Sequence, residues 1–261
     1  MPVRPEPSAL LDLRRALRAR IDAAGLAARR DVIERLAAPG VGLRTRDATP
    51  RDLAIGASRL GGDPDLPAGA PWPEGTEGPL LFVVQVDLAE IASFDLDGLL
   101  PSEGLLSLFV DRWGGEVHVS YAAPSAPFER FPVPSAVPRR FQPLGLDVFL
   151  ELHLPQPGSP TIDAEEDTWT SDEGDAYWDE LWLPWREEQR PGAAGTCGVH
   201  QLFGHAVPES ESSVMAGELV LFGIDSDDRA NMEWGDVHTL WVLISAADLA
   251  AQRWSRARAT M

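Results

Sequence analysis

The residues best placed to do chemistry run from Asp225 to Asp236, Asp-Ser-Asp-Asp-Arg-Ala-Asn-Met-Glu-Trp-Gly-Asp. Clustered carboxylates suit a hard cation such as Ca²⁺ or Mg²⁺. The start resembles a calcium-binding loop, but the frame fails: Arg229 and Ala230 stand at the fifth and sixth positions, and Asp236 replaces the terminal Glu. The simpler expectation is a strand end whose Asp side chains hold a turn by accepting from backbone amides. No metal is assigned. Asp87 ends another apolar run in the same way. If two such strand ends converged, Gln85, Asp87, Asp225, Asp227 and Asp236 could line a carboxylate pocket, and paired carboxylates in unlike environments do acid–base work.

Other constellations are incomplete. Cys197, His200 and His205 offer thiol and imidazole groups, but no fourth ligand has zinc spacing. Gly61-Gly62 precedes Asp63-Pro64 without the frame or the Lys of a phosphate loop. No Gly-x-Ser-x-Gly elbow occurs. No cofactor is implied.

A second kind of chemistry is recognition. Residues 155–198 turn strongly acidic and carry Trp169, Trp178, Trp182 and Trp185, four of the chain's nine Trp. Trp178, Trp182 and Trp185 fall on one face of a helix, although Pro184 would strain its interior. Aromatics supply contact energy and carboxylates steer basic partners. The charge agrees: the net is −19, with residues 1–51 at +5 and residues 52–261 at −24, and every basic side chain is Arg. Such a field repels nucleic acid and anionic lipid.

The elements that must position these groups are legible. Leu10, Leu13, Leu17 and Ile21 recur at helical spacing within a helix expected over 8–38. Strands are expected over 80–87, 104–111, 116–121, 147–154, 219–224 and 239–245, and a short helix after Ser245. In 147–154, Val148, Leu150, Leu152 and Leu154 share one face, and Phe149, Glu151 and His153 the other. Residues 61–110 and 202–244 share a pattern: a Gly/Pro loop, a strand ending in Asp, then a second apolar strand. That pattern suggests an internal duplication. The expected class is α+β and β-dominant, a duplicated mixed β core with an N-terminal helical arm and a short C-terminal helix. The division is a basic arm over 1–50 and a β-rich domain over 51–261. One Cys, no leader-like apolar core and no long apolar run point to the cytoplasm.

Several blocks together resemble the YwqG-like family, a bacterial domain of unknown function. They are Gly61-Gly62-Asp63-Pro64-Asp65-Leu66-Pro67, Trp72-Pro73, the Gln85-Val86-Asp87-Leu88 strand end, Leu221 to Asp227 and Met232 to Asp236. The resemblance implies a compact, mostly β body with a duplicated core and transfers no catalytic residue. Two functions stay open. One is an interaction module that uses its acidic surface on a basic protein, an immunity-type inhibitor for instance. The other is a small-molecule or metal-dependent enzyme with a pocket between the copies.

Overall fold

The computed structural model describes residues 7–159, 161–162, 165, 169–190, 199–207, 214 and 217–260. Its helices are α1 (Ser8–Ala23), α2 (Arg30–Leu36), α3 (Leu88–Ile91), α4 (Ser171–Ala176), α5 (Leu183–Gln189) and α6 (Ala246–Ala250). α1 buries Leu10, Leu17 and Ile21, the stripe that the spacing predicts. It ends where Gly25 takes φ +74°, a backbone form that glycine adopts at little cost.

The strands are β1 (Ala38–Asp47), β2 (Arg59–Leu60), β3 (Asp65–Pro67), β4 (Glu74–Gly75), β5 (Gly78–Pro79), β6 (Leu81–Asp87), β7 (Leu105–Val110), β8 (Val117–Ala122), β9 (Phe128–Arg130), β10 (Leu144–His153), β11 (Val199–Phe203), β12 (Glu218–Asp225), β13 (Thr239–Ser245) and β14 (Arg258–Thr260). Ten of them form one sheet in the order β14-β13-β12-β11-β1-β10-β2-β6-β7-β8. The class is the expected one, β-dominant with a helix at each end. Every ladder is antiparallel, so the sheet is not the mixed one that was expected.

The last part of the expected arm is not helical. Residues 38–47 form β1, which pairs with β10 on one side and β11 on the other at the centre of the sheet. Apolar Val41 and Leu43 alternate with Gly40 and Gly42 there, a two-residue period that the Pro39-Gly40 stop signal masks.

The pair β1/β10 is the hinge of a symmetric arrangement. Arg44 faces Asp147 across it. β10 leads through β2 into β6-β7-β8, and β1 leads through β11 into β12-β13-β14. The register shifts at Val83 in β6 and at Leu221 in β12, each four positions before the terminal Asp. The two stretches that look alike in sequence therefore occupy matching places about the sheet centre.

The sheet curls until its outer ends approach, with the Tyr121 and Trp254 rings 6.2 Å apart. One core fills the concave side, including Val84, Leu106, Val119, Leu202, Phe222 and Val242. Burying these apolar faces supplies most of the folding free energy, at about 25 cal/mol per Å². The convex side is covered differently in the two halves. Over the first half lie β3 and β9, with Leu66 packed on Leu80, Phe82 and Phe109. Over the second half lies the acidic insert.

That insert is helical from α4 through a π-turn at Tyr177–Trp182 into α5. Thr170 opens it with a capping box to Glu173. The π-turn resolves the problem of Pro184, because a wider turn absorbs the hydrogen bond that proline cannot make. It also rotates the faces. Tyr177, Leu181, Trp182 and Trp185 turn inward, while Trp178 stays 42% exposed.

The basic arm docks on this insert. Arg29 Nη2 meets Glu173 Oε2 at 2.9 Å, Arg35 meets Glu165 at 2.8 Å, and Arg20 pairs with Glu188. The opposite charges of the two regions are thus matched, in part, within one molecule.

Candidate functional site

The residues nominated from sequence do not meet. β6 and β12 run in opposite directions, so the symmetric arrangement sends Asp87 and Asp225 to opposite ends of the sheet. Asp87 caps α3, accepting from the Ala89 amide at 3.0 Å. Gln85 is fully buried and accepts from the Asp65 amide at 2.9 Å through Oε1. Asp227 accepts from the Arg229 amide at 2.8 Å and the Thr45 hydroxyl at 2.6 Å. Burial would raise its carboxyl pKa, but the nearby His200 ring, 3.8 Å away, and the hydrogen bond from Thr45 pull it down. Asp236 is exposed in a turn.

The loop that looked chemical is thus a plug. Ala230, Met232 and Trp234 enter the core, and Ser226 Oγ accepts from the Trp234 amide at 3.0 Å. Cys197 lies outside the described residues. His200 is in the core with Nδ1 accepting from the Asp225 amide at 3.0 Å, whereas His205 is on the other side of the sheet, 2.7 Å from the Leu36 carbonyl. Among the described residues no three His, Cys, Asp or Glu side chains group as a metal site requires.

Two of the nominated Trp are spent on the fold. Beyond residue 145, β10 has no strand among the described residues on the side away from β1, and its edge would leave backbone groups unpaired. The insert pairs them with side chains. Trp185 Nε1 donates to the Leu152 carbonyl at 2.6 Å, Trp182 Nε1 to that of Leu154 at 3.3 Å, and the Tyr177 hydroxyl to that of Pro155 at 2.8 Å. Gln189 accepts from the Leu152 amide at 2.6 Å. Trp182 and Trp185 are buried. Trp169 is half-buried under the Arg29 guanidinium, 5.7 Å from its ring centre.

A cleft opens where the insert passes over the second half of the sheet. Counted with the solvent at its mouth it measures about 540 Å³, and the interior that water can enter is about 30 Å³. Glu151, Gln201, Gly223, Thr239 and Trp241 come from the convex face of the sheet. Trp182, Trp185, Arg186 and Arg190 come from the insert, and His205 and Val207 close one side. The floor is glycine because rings lie flat on it. A Cβ on Gly223 would sit 2.5 Å from the Trp241 ring, and one on Gly40 would sit 2.6 Å from His153 Nε2.

At the base is a buried ionic group. Arg190 Nε and Nη2 donate to the two Glu151 oxygens at 2.7 and 3.0 Å, and Nη2 also reaches Gln201 Oε1 at 2.6 Å. Such a fork fixes both partners. His153 Nε2 lies 3.1 Å from Glu151 Oε2. Burial alone would push the Glu151 carboxyl up, but His153 and Arg190, by charge and by hydrogen bond, outweigh it and hold the carboxyl at about 2. Asp225, nearby, goes the other way: burial raises it, against the charges of His200, Arg186 and Arg190 and a hydrogen bond from Thr239.

A folded-state pKa below the unfolded value gives stability that is present above the unfolded pKa and lost as pH falls through the folded one. For Glu151 that window runs from about 4.5 down to about 2. In urea unfolding at a series of pH values, the stability gap between wild type and Glu151→Gln should be constant above about pH 5. It should be about 3 kcal/mol at neutral pH and close across the window. A gap that does not change with pH would remove the ionic assignment.

In the first half, the convex positions matching Gln201 and Gly223 are Arg59 and Gln85. There the space is filled. Asp65 accepts from Arg59 Nη1 at 2.9 Å and Arg130 Nε at 2.5 Å, and Gln85 Nε2 adds a third bond at 2.9 Å. One half of the sheet is sealed and the other keeps an open cleft. A family profile described as a domain of unknown function, DUF1963, matches residues 58–261, both halves included. The chain belongs to the DUF1963 family. No curated protein matches it.

Within this DUF1963 domain, sequence reasoning had put Glu151 and His153 on the polar face of their strand but missed the site. Alternation was the available signal. Arg190 and Gln201 gave none, because what joins them to Glu151 is the fold of the insert back over the sheet. Among the described residues no helix is long and apolar enough to cross a membrane.

Proposed function

We propose that this DUF1963 domain is a cytoplasmic small-molecule-binding protein whose site is the cleft between the convex face of β11, β12 and β13 and the helical insert. One observation carries this reading: matched positions of a symmetric sheet are sealed by Asp65 and Arg130 in one half and left open over Glu151, Arg190 and Gln201 in the other. Ligand sites combine an apolar, aromatic lining with a few placed polar groups, and Trp182, Trp185 and Trp241 beside Gln201 and Thr239 fit that description. The scaffold is the duplicated β body that the YwqG-like resemblance implies.

The test is a thermal-shift screen of a metabolite library. A ligand at a hundred times its Kd stabilises by about 2.7 kcal/mol, a readable shift. Val207→Trp, which fills the cleft from its side, should abolish the shift and leave the unliganded melting temperature near wild type. A library that moves nothing, or a variant that still responds, would sink this reading.

A second reading keeps the acidic face as a binding surface for a basic protein. Its support is Trp178 and Leu183, 42% and 39% exposed on the outer side of the insert beside Asp179 and Glu180. Its weakness is that Glu165, Glu173 and Glu188 are already met by arginines of the arm. A pull-down that recovers a basic protein at low salt and loses it at moderate salt would favour it.

A further inference from the structure

The chemistry at the mouth of the cleft narrows what could enter. Arg190 gives Nε and Nη2 to Glu151 and Gln201. One helical turn earlier, Arg186 also lines the cleft, yet its guanidinium makes no hydrogen bond or ion pair among the described residues. Its one ring contact is Trp182, 5.8 Å away. It is exposed at the mouth, and its charge acts on Arg190, Asp225 and Glu151 inside. A guanidinium presents a planar fork of donors that matches a carboxylate. Just behind it are the Trp241 ring on Gly223 and the Trp182 ring, both flat apolar surfaces.

The charge count sets the valence. Glu151 is neutralised by Arg190, which leaves Arg186 as the cation at the mouth without a partner among the described residues. The carboxyl of Asp225 stands nearby. A single carboxylate matches that one free guanidinium, whereas a dianion would bring a second charge with no free cation among the described residues to offset it. We infer, resting on the cleft being a ligand site, that its ligand is a small monocarboxylate with a flat aromatic or apolar body. Arg186 grips the carboxylate, and the body lies against Trp182 and Trp241. Gln201 and Thr239 remain as the polar groups that read its substituents.

The experiment is a titration of the full chain followed by tryptophan fluorescence, with four probes of one shape: phenylacetate, phenyl phosphate, 2-phenylethanol and phenethylamine. Phenylacetate should bind most tightly. Arg186→Gln should weaken phenylacetate by about 10- to 100-fold, the usual effect of removing a charge-assisted bond, and leave 2-phenylethanol unchanged. Arg186→Lys should recover part of the loss. Because Arg186 is exposed and bonds to nothing described, neither variant should alter the melting temperature. Equal binding of the alcohol, amine and acid, tighter binding of the phosphate, or an Arg186→Gln variant that holds phenylacetate as wild type does would overturn the inference. None of these would touch the cleft reading, which fails if the library moves nothing or if Val207→Trp still responds.

Discussion

Asp65→Ala is expected to destabilise the protein by about 3–5 kcal/mol, the usual result of removing one partner of a buried ion pair. Asp65 is 1% exposed, and Arg59 beside it is equally buried. Its two oxygens accept from Arg59, Arg130, Gln85 and the Gly56 amide. Burial alone would raise the Asp65 carboxyl pKa; the hydrogen bonds from Arg130, Arg59 and Gln85 more than reverse this and lower it. Alanine would leave the Arg59 cation inside with the Asp63 carbonyl as its one hydrogen-bond partner among the described residues. Arg130 is about a third exposed and can turn to solvent, but Arg59 cannot. Urea unfolding measures the loss. Since whole domains are stable by about 5–15 kcal/mol, the variant may be compared at low temperature or beside Arg59→Met/Asp65→Leu, which removes both charges and should recover most of the loss. A loss under about 1 kcal/mol would show that the pair is not what seals the first half.

Trp185→Ala should cost about 3–5 kcal/mol, and Trp178→Ala less than about 1. The two residues are seven apart in one acidic helix, and a sequence view makes them equivalent. Trp185 is 2% exposed and bonds the Leu152 carbonyl; Trp178 is 42% exposed and touches the Trp182 ring at 5.5 Å. Losing the first opens a cavity under the insert and weakens the seal on the β10 edge. Losing the second removes surface area that water already reaches. Thermal or urea unfolding of the pair decides it, and equal losses would mean that the insert is a solvated loop rather than a cover.

The acidic insert shows why composition misleads here. Carboxylates with interleaved Trp describe a recognition surface equally well as a helix that hides its rings and shows its charges. The choice depends on the π-turn at Tyr177–Trp182. One extra residue in a turn swings the preceding face away, so Trp178 parts company with Trp182 and Trp185. Nothing local in the sequence except Pro184 hints at it. The loop at 225–236 misleads in the other direction. Its carboxylates suggested a cation, while its apolar residues, Ala230, Met232 and Trp234, determine its place as a plug in the core.

What the sequence by itself determined is the set of elements whose signals are local. These are the apolar stripe of α1, the six strands with clear hydrophobic texture, the duplicated strand-to-Asp pattern, the Asp caps at residues 87 and 227, and the β-dominant class. Propensity, period and capping act within a few residues, so they are written in consecutive letters. Only the tertiary structure decided that residues 38–47 belong at the centre of the sheet, because strand pairing is a contact between distant segments. It also decided that Gln85 and Asp87 part from Asp225, because the symmetric halves of an antiparallel sheet send equivalent strand ends in opposite directions. And it brought Glu151, Arg190 and Gln201 together from three elements, because a buried carboxylate must find its cation wherever the chain folds back to offer one.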